Sequence, residues 1–170
     1  MNSSHALLVK ANRMLGSQLV ELNLITYEAL ENANEKFLDA LHASDSKNAS
    51  LLRILLAETQ ELKEQDLIEE QVENHGLSPC SLEHIGFSPS DWEPELVDAC
   101  YATRTIPVDK VEEVVFLASS CYLSRPVREF WTKLYGDTIV WLVVPFAQIE
   151  ERLQMFAEAH ADESTEAEAK

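Results

Sequence analysis

The sequence is poor in glycine, in positive charge and in long apolar runs, and each shortage excludes a class of protein. Only 4 of the 170 residues are glycine, and no GxxxxGK[ST] motif is present, so the sequence lacks the phosphate-binding loop of P-loop ATPases. Lys and Arg number 13 against 30 Asp and Glu, which gives a formal net charge of −17. Such a surface repels nucleic acid and anionic membranes, so we expect neither as a partner.

The sequence also lacks long apolar runs and closely paired cysteines. No run approaches the roughly 18 apolar residues of a membrane span, and the first residues show no signal-peptide cleavage pattern. We therefore expect a cytoplasmic protein that does not insert into a membrane. Cys80, Cys100 and Cys121 form no CxxC pair, so free thiols are expected rather than a disulfide framework or a metal site.

The first half of the sequence is predicted to be helical, because apolar residues recur at helical spacing in four segments. Thr26 is a favourable N-cap for the second segment, and Gly76 is a favourable left-handed C-cap for the fourth. The predicted helices are His5–Asn23, Tyr27–Leu41, Leu51–Glu58 and Glu64–His75.

The two helical pairs are related by a constant offset. Leu15 and Leu30 in the first pair correspond to Leu52 and Leu67 in the second, 37 residues later in both cases (52 − 15 and 67 − 30). A duplicated αα-hairpin is the economical explanation. The alternative is that two unrelated amphipathic hairpins happen to align.

The second half has a different pattern. Three prolines between residues 77 and 94 predict an irregular connector. After it we predict a helix at Glu95–Ala102, two strands on either side of Asp109–Lys110, a helix capped by Ser124 that ends at Tyr135, a strand at Thr138–Val144 and a last helix from Pro145.

The predicted fold class is therefore α+β. An all-helical subdomain of two αα-hairpin repeats (5–76) is followed by a connector (77–94) and a small ββαβα subdomain (95–159). The last residues (160–170) are acidic and lack large apolar side chains, so we expect a disordered tail.

Several segments, taken in order, carry a family resemblance. They are LGSQLVELNLITYEAL (15–30), DLIEEQVENHGL (66–77), RTIPV (104–108), VVFLAS (114–119), GDTIVWLVVP (136–145) and IEERLQMF (149–156). In this order they make residues 14–157 similar to the N-terminal region of the ATPases that drive type II secretion and type IV pilus assembly. The resemblance implies docking on the cytoplasmic part of an inner-membrane platform protein. Because the motor motif is missing, we expect a non-enzymatic adaptor domain without a cofactor, which binds such a platform protein or a related ATPase.

Some members of that family bind cyclic di-GMP with the two repeats, through an R-L-G pattern, a later glycine and a closing glutamine. In this sequence Met14 stands at the arginine position, Asn23 at the glycine position and Phe37 at the glutamine position, and Arg13 lies one residue off. Most contact residues are thus replaced and the protein is acidic. The resemblance therefore leads us to expect no tight binding of cyclic di-GMP.

Two functions remain open at this point, and we assign neither a catalytic residue nor a metal ligand. For protein docking, exposed residues in the hairpins and the connector are the expected contacts, namely Leu24, Tyr27 and Trp92. The alternative is a sensor of cyclic di-GMP or another nucleotide, whose expected ligand contacts are Arg13, Gly16 and Arg53.

Overall fold

The computed structural model describes residues 3–86, 88 and 91–168, with residues 162–168 described by their backbone alone. The helices of this part of the chain are α1 (Ser3–Glu21), α2 (Tyr27–Leu41), α3 (Leu51–Glu58), α4 (Glu64–His75), α5 (Leu96–Thr103), α6 (Arg125–Tyr135) and α7 (Phe146–Glu168). The strands are β1 (Ser78–Pro79), β2 (Thr105–Val111), β3 (Val114–Ser119) and β4 (Ile139–Val143).

The predicted α+β fold with two helical hairpins is confirmed, and the predicted caps explain where the helices begin and end. The Thr26 hydroxyl accepts a hydrogen bond from the Ala29 amide at 3.2 Å, in the first turn of α2. Gly76 closes α4 in the left-handed conformation, with a φ of 70°.

The helix boundaries agree with a duplication. α1 ends at Glu21 and α3 at Glu58, while α2 begins at Tyr27 and α4 at Glu64, so both boundaries are 37 residues apart (58 − 21 and 64 − 27). This is the offset found in the sequence. The two hairpins therefore share their turn position and their helix-start position.

The sheet belongs to the second half and has the order β1-β4-β3-β2. β2 and β3 are antiparallel, whereas β4 is parallel to both β3 and β1. Strand β1 corrects the prediction of a wholly irregular connector, because Ser78 pairs with Leu142 and the Cys80 amide donates to the Val143 carbonyl at 2.9 Å. The connector therefore attaches the end of the helical half to the sheet.

The hairpin between β2 and β3 turns later than predicted. Asp109 and Lys110 remain within β2, paired with Phe116 and Val115 of β3. The turn lies at Glu112–Glu113, and Glu112 takes the positive φ of 55° that such a short turn needs. A register shift between Pro107 and Asp109 leaves an extra residue in β2, which is a β-bulge.

The last helix is longer than predicted. α7 continues to Glu168, through residues that we expected to be disordered. His160 is only 7% exposed, and its ring lies 4.7 Å from that of Phe156 in an edge-to-face arrangement. Contacts with the core therefore reach at least to the start of the expected tail.

Within the described residues, no helix combines the length and the apolar character needed to cross a membrane.

The two halves share one hydrophobic core. α1 packs against both α5 and α6, and its Leu15 and Leu19 are fully buried in the same cluster as Trp131 of α6 and Ile149 of α7. The Trp131 indole N–H donates to the Thr103 hydroxyl at 3.1 Å. The helical half therefore does not form a core of its own.

Ser124 joins the halves in a way that its sequence position does not predict. We expected its side chain to cap α6, but it makes no capping hydrogen bond. Its fully buried hydroxyl instead donates to the Ala11 carbonyl of α1 at 2.7 Å. The start of α6 is thus fixed to the middle of α1.

Replacing Ser124 by alanine should lower the free energy of unfolding by about 1 kcal/mol, because one buried hydrogen bond between the halves is lost. Urea denaturation measures this change through the midpoint, with the m value unchanged. Ser17→Ala on the exposed side of α1 is the control and should change stability by less than about 0.5 kcal/mol. Equal stabilities of the two variants would contradict a linking role for Ser124.

Candidate ligand and partner sites

The turns of the two hairpins are held together by one carboxylate. Glu61, in the second turn, accepts hydrogen bonds from the Thr26 amide at 2.8 Å and from the Thr26 hydroxyl at 3.0 Å. Thr26 at the same time caps α2. The second repeat thus fixes the point at which the second helix of the first repeat begins.

An open groove of about 500 Å³ runs between α2 and the end of α3. Its apolar lining consists of Ala29, Ala33, Ile54 and Leu55, of which Ala33 and Leu55 are buried. Its charged lining consists of four carboxylates and one ammonium group: Glu28, Glu35, Glu58, Glu61 and Lys36. Since Lys36 is ion-paired with Glu58, the groove is strongly acidic. We call it the acidic groove.

Leu24 and Tyr27, two of the predicted docking residues, lie together at one end of this groove. They line an adjoining depression that shares Thr26 and Glu61 with the acidic groove. Tyr27 is 65% exposed, whereas Leu24 is half-buried. Trp92, the third predicted docking residue, packs partly buried against the core and lines neither the depression nor the groove.

The residues predicted for nucleotide binding have different surroundings. Arg13 is exposed on α1, on the same face as Val20 two turns later. Gly16 is buried, and a Cβ atom there would come within 2.6 Å of Leu30 and 3.0 Å of Leu51. Gly16 therefore allows α1 to approach its neighbouring helices closely. Nothing in these contacts tests its predicted role in ligand binding.

Arg53 faces the second half of the protein. One of its guanidinium nitrogens donates to Glu150 of α7 at 2.5 Å, and the other donates to the Asn48 carbonyl at 2.9 Å. By the 37-residue offset Arg53 is the counterpart of Gly16 (53 − 16). The two repeats thus use this position differently: one for close packing and the other for a link to α7.

A buried arginine lies at the centre of this link, and the sequence did not reveal it. Arg104 is 2% exposed and donates to the Tyr101 carbonyl at 3.1 Å and to the Asn48 carbonyl at 2.8 Å. Its Nε lies 3.4 Å from Glu150 Oε1. Glu150 is therefore held between two guanidinium groups, those of Arg53 and Arg104. We call these three residues the Arg-Glu-Arg cluster.

Electrostatics accounts for the contacts of the Arg-Glu-Arg cluster. Burial lowers the pKa of Arg104, and the neighbouring Glu150 carboxylate raises it in part. A buried cation of this kind needs acceptors and a counter-charge. Two backbone carbonyls accept hydrogen bonds from its terminal nitrogens, and the Glu150 carboxylate forms an ion pair with Nε without a hydrogen bond. The guanidinium also lies 5.5 Å from the centre of the Tyr101 ring. Burial raises the pKa of Tyr101, whereas the positive charge of Arg104 lowers it in part.

The cysteines divide into two buried thiols and one half-buried thiol. Burial raises the pKa of Cys100 well above its ordinary value, and it raises the pKa of Cys121 to about 12. These two thiols are therefore protonated at neutral pH and poorly nucleophilic. In the described part of the chain, no three His, Cys, Asp or Glu side chains are grouped so as to hold a metal ion.

Comparison with known proteins gives a likeness to a solved structure. No protein-family model and no curated protein matches the chain. A solved structure of MshE with cdg shares 15% of its residues with this chain, covers 84% of it and is covered over 97% of its own length, with a TM-score of 0.50. At this identity the likeness shows the fold alone, and it agrees with the helical repeats and small α/β half expected from the family resemblance.

The same comparison corrects one expectation. We expected no tight binding of cyclic di-GMP, because most of the contact residues are replaced. A protein of the same fold was solved with cdg, the abbreviation of this dinucleotide. That finding contradicts the expectation that cyclic di-GMP is not bound tightly.

Replacing Glu150 by alanine should lower the free energy of unfolding by about 2 to 3 kcal/mol, because Arg104 is left as a buried cation without its carboxylate. Glu151→Ala is the matched control, since Glu151 is the next residue on α7 and is exposed. Guanidinium chloride denaturation of both variants checks the difference. A Glu150→Ala protein as stable as the control would show that the Arg-Glu-Arg cluster contributes little.

In the native protein a thiol reagent at pH 8 should modify Cys80 alone, because the other two thiols are buried and protonated. All three should react after unfolding. Mass spectrometry of the alkylated protein counts the modified thiols, and Cys80→Ser should remove the native reaction. Rapid native modification of Cys100 or Cys121 would contradict the burial described here.

Proposed function

We propose that this chain is a ligand-sensing domain that binds cyclic di-GMP on its helical repeats. The observation that carries the proposal is the likeness in fold, over 84% of the chain, to a structure of MshE with cdg. It favours the nucleotide alternative of the sequence analysis over the docking function. The predicted docking on a platform protein of a secretion or pilus system, or on a related ATPase, stays a prediction.

The two similar hairpins support a ligand that has two equivalent halves. Cyclic di-GMP consists of two identical nucleotide halves, and the two hairpins end and begin their helices at equivalent positions, 37 residues apart (58 − 21 and 64 − 27). Asn23 stands at the position of the later glycine in the family pattern, and its φ of 58° is in the left-handed region that glycine adopts readily.

Charge indicates where on the repeats the ligand would bind. The two phosphates of cyclic di-GMP are negative and are repelled by the acidic groove between α2 and α3. Arg53 already contacts Glu150 and the Asn48 carbonyl. Arg13 is exposed on α1 and forms no ion pair with any residue that the structure describes. We therefore place the phosphates beside Arg13 on α1.

The proposed function is binding rather than catalysis. The two thiols with a strongly raised pKa are buried, and Tyr135, whose pKa burial raises to about 12, is protonated at neutral pH. None of these groups is suited to act as a nucleophile or a general base near pH 7. Free thiols also agree with the reducing cytoplasm, where we place the domain.

Calorimetric titration of the full chain with cyclic di-GMP tests the proposal. We expect measurable binding that Arg13→Ala weakens about tenfold, because one charge-assisted contact to a phosphate is lost. Lys110→Ala is the control, since it removes the same charge from an exposed position on β2, and it should leave the affinity unchanged. A linear dinucleotide should bind more weakly than the cyclic one.

Two results would count against the proposal in different ways. Absence of heat with the wild-type protein, together with no shift of its melting temperature at high ligand concentration, would overturn the nucleotide function. Equal affinities of wild type and Arg13→Ala would overturn the placement of the phosphates on α1.

A further inference from the structure

The acidic groove is not used by the proposed nucleotide function, and its chemistry fits a different partner. It opens to solvent between α2 and α3, and its apolar floor contains the half-buried Ala29 and Ile54 beside the buried Ala33 and Leu55. Ala29 and Ile54 leave part of their apolar surface open to a bound side chain. The groove therefore offers more than a charged surface.

The carboxylates of the acidic groove are not all occupied. Glu58 pairs with Lys36 and Glu61 binds Thr26. Glu28 and Glu35, seven residues apart, lie on the same face of α2, about two helical turns from each other, and both are exposed. Two positive charges on a bound segment can meet them while its apolar side chains contact the floor.

An exposed aromatic residue lies at the end of the groove. Tyr27 is 65% exposed although a half-buried Leu24 and the shared Thr26 and Glu61 lie beside it. Tyrosine is enriched among the residues that carry most of the binding energy in protein interfaces. The groove, the depression and Tyr27 thus form one continuous surface with an apolar centre and an acidic rim.

We propose that this surface binds a basic amphipathic segment of another protein, with Lys or Arg side chains directed at Glu28 and Glu35 and an apolar side chain packed against Tyr27. Charge complementarity selects this occupant. A second copy of this chain carries the same net charge of −17, and the end of the chain after His160 is itself acidic, so both are repelled by the groove. The overall charge also accelerates the approach of a basic partner.

Fluorescence anisotropy with two synthetic helical peptides tests this inference on the full chain, without nucleotide, so the result does not depend on the proposed function. One peptide has leucines on one face and lysines on the other; the second has glutamates in place of the lysines. We expect the basic peptide to bind and the acidic one not to bind. Tyr27→Ala should weaken binding about tenfold.

Charge variants separate binding in the groove from general attraction to an acidic protein. The double variant Glu28→Gln/Glu35→Gln should weaken binding of the basic peptide about tenfold and reduce its dependence on salt. The control is Glu112→Gln/Glu113→Gln, which removes the same two charges from the exposed β2–β3 turn. Equal affinities of the two double variants, an unchanged affinity of Tyr27→Ala, or equal binding of the acidic peptide would each overturn the inference.

Discussion

The arrangement of the two halves depends on the partners of one buried guanidinium. Arg104 stands between α5 and β2 with a φ of 45°, a conformation that costs a non-glycine residue about 1 kcal/mol. Its side chain reaches the loop before α3 and the first turns of α7, while its carbonyl accepts from Ser120 after β3. The loop before α3 and the start of α7 are far apart in the sequence, and both are positioned by their contacts with this one cation.

This requirement makes the two repeats unequal. In the first repeat the position of Gly16 lets α1 pack closely, and α1 keeps an exposed face. In the second repeat the corresponding Arg53 joins the Arg-Glu-Arg cluster and is directed at α7. The two hairpin repeats thus differ, since one has an open surface and the other holds the α/β half. The surfaces proposed for ligand and partner both include parts of the first hairpin.

The sequence predicted the features that arise from local physics. The helices α3 and α4 lie at the predicted residues, because apolar periodicity and the cap at Gly76 are local signals. It did not predict β1, since two residues with a proline show no alternation, nor the pairing of Arg104 with Glu150, which are 46 residues apart (150 − 104). The hydroxyl of Ser124 was misassigned because a distant carbonyl competes with the local cap. The same rule holds for one of the sites: Leu24 and Tyr27 are close in sequence and line the same depression.

The edges of the sheet have a consequence for how the protein behaves at high concentration. β1 and β2 are the two edge strands, and each contains a proline, which has no N–H to offer to a further strand. β1 is only two residues long, and β2 carries a bulge followed by the charged Asp109 and Lys110. The inner strands β3 and β4 are rich in valine and other apolar residues. Neither edge strand, however, favours pairing with a strand of another molecule. The protein is thereby protected from strand-to-strand polymerisation.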